Sequence, residues 1–100
     1  MQTPEAKVKQ RVKEILDEAG AYYDMPVPSG YGKPTLDFIG CYKGYYFAIE
    51  TKAPGNMPTI RQEQTMTQMQ KAGAKVFLID GESYDYSQLQ IWFAKVDFIV

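Results

Sequence analysis

The stretch that most constrains this chain is residues 35–52, TLDFIGCYKGYYFAIETK. Phe38, Ile39, Tyr42, Tyr45, Tyr46, Phe47 and Ile49 are β-branched or aromatic, types that suit a pleated, half-buried surface. Lys43 and Gly44 separate the two runs, and a primed two-residue turn, with positive φ at both central positions, suits that place. A two-residue loop there sets Asp37 opposite Glu50. Facing residues share one side of a hairpin with Cβ atoms roughly 4.5–5.5 Å apart. Two facing carboxylates repel, and a divalent cation between them removes the penalty, because hard cations take oxygen ligands. Lys52 lies two residues beyond Glu50, so alternation brings its ammonium to the same face. Asp, Glu and Lys on one strand face are the parts of a centre for metal-assisted phosphodiester hydrolysis. Lys52 is expected to be exposed and removable at little cost to the fold.

The rest of the chain supplies the frame. Thr3 and Pro4 open a helix as N-cap and first residue, Val8, Val12, Ile15, Leu16 and Ala19 form its apolar stripe, and Gly20 ends it. Glu5 falls on that stripe, three residues before Val8. A first-turn acid complements the helix dipole; pointing at a cation on the sheet would also explain why it faces inward. Lys7, Lys9, Arg11 and Lys13 fall mostly on the other faces, as a solvated surface or as phosphate contacts. Residues 21–27 are expected to form a short strand, with Pro26 and Pro28 marking an edge or exit. The glycine-containing loop at 28–34 fits neither phosphate-binding fingerprint, so no nucleotide cofactor is expected, although Lys33 could approach a phosphate. A second helix is expected from Pro58 and Thr59 to Lys71, with Gly73 as its stop. Gln62 shares a stripe with Met66 and Met69, so it can reach the sheet. Residues 75–80 resemble a buried strand, and Gly81 and Ser83 open a last helix carrying Leu89, Trp92, Phe93 and Val96. The apolar tail at 97–100 is expected as a short strand or a subunit contact.

Composition narrows the chemistry. The chain has no histidine, which excludes serine–histidine and cysteine–histidine catalysis and histidine-bound zinc. Its one cysteine, Cys41, forms no internal disulfide, suits a reducing, cytoplasmic setting and is expected to be buried. No stretch is long and apolar enough to span a membrane, and the charged start is not expected to act as a signal peptide. The formal net charge is −1. Setting aside Glu5, Asp37 and Glu50 as cation ligands leaves the remaining surface slightly basic. The 100 residues suit a single domain spanning 1–100.

Asp37-Phe38-Ile39-Gly40, then Ala48-Ile49-Glu50-Thr51-Lys52-Ala53-Pro54, then Gln62, then Gln70-Lys71-Ala72-Gly73-Ala74-Lys75-Val76 resemble the PD-(D/E)XK nuclease superfamily. More narrowly, they look like its virus-type replication-repair nuclease (VRR-NUC) family. The resemblance covers residues from about 4 to 80; the signature's proline stands at Pro34, and Thr35 and Leu36 fill the places before Asp37. It implies an α/β fold with a mixed sheet: a restriction-endonuclease-like α-β-β-β-α-β core followed by a C-terminal helix. Asp37 and Glu50 would ligate Mg²⁺ or Mn²⁺, with the Thr51 backbone carbonyl completing the protein ligands and its side chain turned away. Lys52 would position or help deprotonate the attacking water, Glu5 would bind metal directly or through water, and Gln62 would orient the site. Lys33, Lys7 and Arg61 are the candidates for nucleic-acid contact. The resemblance further implies cleavage of branched, four-way-junction-like DNA by a homodimer, leaving 5′-phosphates, in a bacterial or phage-infected cell. Two other readings stay open on sequence alone. One is a nuclease fold that holds junction DNA without cutting it; the other is a structural protein whose hairpin acids are a surface pair.

Overall fold

The computed structural model describes residues 2–27 and 32–100. Of the loop expected at 28–34, residues 28–31 lie outside the described part. The element order is α1 (Pro4–Ala19), β1 (Tyr22–Asp24), β2 (Phe38–Tyr42), β3 (Tyr45–Thr51), α2 (Ile60–Lys71), β4 (Lys75–Ile79) and α3 (Ser87–Ile99). This is the expected α-β-β-β-α-β core with a further helix. One sheet runs β1-β2-β3-β4, antiparallel except for the last pair, β3 with β4. A parallel pair needs a crossover, and α2 is that crossover. Among the described residues, no helix is long and apolar enough to cross a membrane.

The hairpin register follows from its turn. Lys43 has φ 48° and Gly44 has φ 91°, the two positive values that a primed turn requires. The ladder then runs from Tyr42 opposite Tyr45 to Phe38 opposite Ile49, as the two-residue loop demands. Lys43 Nζ and the Tyr42 hydroxyl both donate to Asp97 Oδ1, at 2.6 and 2.5 Å, which ties the turn to α3.

Alternation divides the sheet. Phe38, Tyr42, Phe47, Ile49, Phe77 and Ile79 meet Val8, Val12, Ile15 and Leu16 of α1 and Leu89, Phe93 and Val96 of α3 in one apolar core. Full burial of each large side chain stabilises by roughly 1.5–3 kcal/mol. Ala48 and Glu50 point to the other side and are buried as well, so β3 is covered on both faces. Cys41 alternates with the core residues of β2 and is exposed, contrary to the expected burial: its position sits on the face turned away from α1 and α3.

Three boundaries differ from the sequence expectation. β1 ends at Asp24, before Pro26, whose nitrogen cannot donate to a ladder. α3 begins at Ser87, because buried Asp80 holds the preceding residues in a turn: its Oδ1 accepts from the N–H of Glu82 and of Tyr84, at 2.8 and 2.9 Å. The tail is not a strand, since α3 continues through Ile99, leaving Phe98 and Ile99 exposed.

Gly40 fixes how closely β1 can approach β2. A Cβ on it would lie 2.1 Å from the Tyr22 carbonyl oxygen and 2.9 Å from the Phe47 ring. Neither the paired backbone nor the buried ring can give way. Gly40→Ala should therefore cost about 3 kcal/mol, by strand displacement and overpacking, in denaturant unfolding; a loss under about 0.5 kcal/mol would show that β1 is loosely held.

Candidate active site

The turn register carries Asp37 and Glu50 to the same end of the sheet. Glu50 is the last outward-facing position of β3 and is only 3% exposed. Asp37 lies one residue before β2, outside the ladder, which frees its side chain to fold back across the strand end. Its Oδ2 accepts two hydrogen bonds from Thr51, from the backbone N–H at 2.9 Å and from the hydroxyl at 2.7 Å. The resemblance implies a Thr51 side chain turned away from the site; the structure instead brings its hydroxyl onto Asp37. The reason is that Asp37 stands beyond the last ladder pair, where facing-pair geometry no longer applies.

Lys52 Nζ lies 3.9 Å from Glu50 Oε2, and the Lys52 side chain is only 15% exposed. It is thus more buried than expected, and removing it leaves a buried carboxylate without its ammonium. Lys9 Nζ lies 3.8 Å from Asp37 Oδ1. Glu5, one helical turn before Lys9, is close enough for its charge to act on Glu50. The sequence reading places Lys9 among basic residues that form a solvated surface or phosphate contacts; its four-residue spacing from inward-facing Glu5 is the signal that it shares that side.

The Glu50 carboxyl is raised from 4.5 to about 7, and burial is the largest cause. The neighbouring Asp37 carboxylate and, least of all, Glu5 also raise it, while the Lys52 ammonium and the Asp37 backbone N–H pull it down without cancelling the rise. A carboxyl whose charge is opposed both by burial and by a second carboxylate is a site short of positive charge. Among the described residues, no group of three or more Asp, Glu, His or Cys side chains gathers closely enough to hold a metal alone. The donors present are two carboxylates, hard oxygen ligands of the kind that fits Mg²⁺ or Mn²⁺. Mg²⁺ commonly takes one or two carboxylates and fills its shell with water and substrate phosphate.

The other sequence candidates separate into two groups. Lys33 and Arg61 line one cleft of about 490 Å³, together with Thr35, two residues before Asp37. Lys7 is exposed on α1. Gln62 does not reach the acids through its oxygen: Oε1 accepts from the Thr59 N–H at 2.9 Å, while the Thr59 hydroxyl accepts from the Gln62 N–H. This reciprocal capping box opens α2.

The Glu50 shift sets a pH signature. Its folded value lies above its unfolded one, so the stability it contributes is full below about 4.5 and is lost as pH rises through about 7. In metal-free buffer, Glu50→Gln should match wild type near pH 4.5 and gain on it by about 3 kcal/mol at pH 8. Denaturant unfolding at several pH values measures the gap, and a pH-independent gap would contradict a desolvated Glu50 charge.

No family model matches the sequence, and no curated protein matches it. Among solved structures, the chain is similar to one described as a "VRR_NUC domain", with a TM-score of 0.71 and 19% sequence identity over 93% of this chain and 97% of that one. The four-stranded mixed sheet and three helices of the described residues therefore have the fold of a VRR_NUC domain.

Proposed function

We propose that residues 1–100 act as one nuclease domain that hydrolyses phosphodiester bonds in DNA with Mg²⁺ or Mn²⁺ held between Asp37 and Glu50. The observation that supports this most is the state of Glu50: 3% exposed, beside a second carboxylate, with its ammonium partner 3.9 Å away. A buried charge pair is retained against its desolvation cost more readily for function than for stability. When bound, the ion supplies positive charge to the phosphoryl oxygens and lowers the pKa of water.

The chain's own residues do the rest. Asp37, Glu50 and the Thr51 carbonyl would hold the ion, with Glu5 reaching it directly or through a water. Lys52, 3.9 Å from Glu50, would orient the attacking water and offset charge on the phosphate. Lys33 and Arg61 track the DNA backbone through their shared cleft, and exposed Lys7 on α1 makes a further phosphate contact. Gln62 acts indirectly, by fixing the start of α2. Branched, four-way-junction-like DNA is the proposed substrate. One centre per subunit makes paired cuts the work of a symmetric homodimer.

A synthetic four-way junction and a linear duplex, each incubated with Mg²⁺, with Mn²⁺ and with chelator, test the proposal. Metal-dependent product ending in 5′-phosphate is expected, more from the junction. Lys52→Ala should lower the cleavage rate about 10²–10³-fold. It should also cost about 1–2 kcal/mol of stability, limited because Glu50 can take up a proton, so rates belong well below the unfolding midpoint. Tight junction binding without product at protein excess would favour a non-cutting DNA-binding module instead.

A further inference from the structure

The two oxygens of the Asp37 carboxylate have different partners. Oδ2 accepts both the Thr51 N–H, at 2.9 Å, and the Thr51 hydroxyl, at 2.7 Å. Oδ1 faces the Lys9 ammonium at 3.8 Å, an ion pair too long for a hydrogen bond. Thr51 is fully buried, so its hydroxyl cannot readily exchange Asp37 for water. Two donors converging on one oxygen restrain rotation of the carboxylate and leave the other oxygen available. Lys9, by contrast, is a third exposed on a flexible stem, and it can swing away.

We propose that the Thr51 hydroxyl is a positioning group that reserves Asp37 Oδ1 for the divalent cation, and that Lys9 is a placeholder charge at that oxygen, displaced when the cation enters. The inference rests on the metal-dependent reading above. It assigns the two neighbours opposite effects. Without the hydroxyl, the carboxylate loses its fixed orientation and the cation binds more weakly. Without the ammonium, the cation loses a competitor and binds more tightly.

Calorimetric Mn²⁺ titration without DNA tests this on wild type, Thr51→Val, Thr51→Ser and Lys9→Gln, with circular dichroism confirming the fold of each. Thr51→Val should bind about 10–100-fold more weakly, as expected for loss of a group that orients a ligand. Thr51→Ser, which keeps the hydroxyl, should rescue binding to near wild type. Lys9→Gln should bind about twofold to fivefold more tightly, the range of a weak ion pair. Folded Thr51→Val with wild-type affinity would overturn the role of the hydroxyl. Equal or weaker binding by Lys9→Gln would overturn that of the ammonium, and this arm decides if Thr51→Val does not fold. Absence of Mn²⁺ binding by wild type itself would instead remove the metal reading on which the inference stands.

Discussion

A carboxylate taken out of water beside another carboxylate is the constraint around which this molecule is arranged. Glu50 sits on a strand covered on both faces, where desolvation opposes its charge, and Asp37 opposes it further. Lys52 relieves part of that cost at 3.9 Å and does not remove it. Two ammonium groups, Lys9 and Lys52, each stand near one of the acids at the outer limit of ion pairing. Such an arrangement holds acids apart from full neutralisation, which is a poor way to stabilise a fold and a good way to keep a cation site ready.

The fold delivers these groups through few decisions. The primed turn at Lys43 and Gly44 sets the register, and a slip of one residue would send Glu50 into the apolar core and Ile49 out of it. Gly40 lets β1 close against β2. The stripe of α1 buries Val8 and Val12, which brings the first two turns, with Glu5 and Lys9, to the end of the sheet where Asp37 lies. Asp80 closes the same end from β4: beyond its turn, its Oδ2 accepts from the Gly55 N–H at 3.2 Å, in the loop that follows Lys52.

How much of this was legible in the sequence depended on how local the governing physics is. The hairpin register, the caps of α1 and the element order follow from turn chemistry and periodicity, and the structure has all three. The turned-away Thr51 side chain came with the resemblance, which does not tell how Asp37, one residue beyond the ladder, folds back onto it. Helical periodicity pointed Gln62 at the sheet, yet its three-residue spacing from Thr59 is also a capping-box signature, and capping is what it does. The start of α3 and the helical tail depended on Asp80 and on packing against the sheet, neither of which a short apolar run reveals. The exposure of Cys41 depended on which half of the outer face carries no cover, a tertiary fact.

The central claim is that a divalent cation belongs between Asp37 and Glu50. The most direct measurement is anomalous diffraction from a crystal soaked in Mn²⁺ near pH 8, where Glu50 is ionised. A peak within coordination distance of both carboxylates, with Lys9 and Lys52 withdrawn from them, is the expected result. A soaked crystal with no peak there, and with both ammonium groups still on their acids, would contradict it.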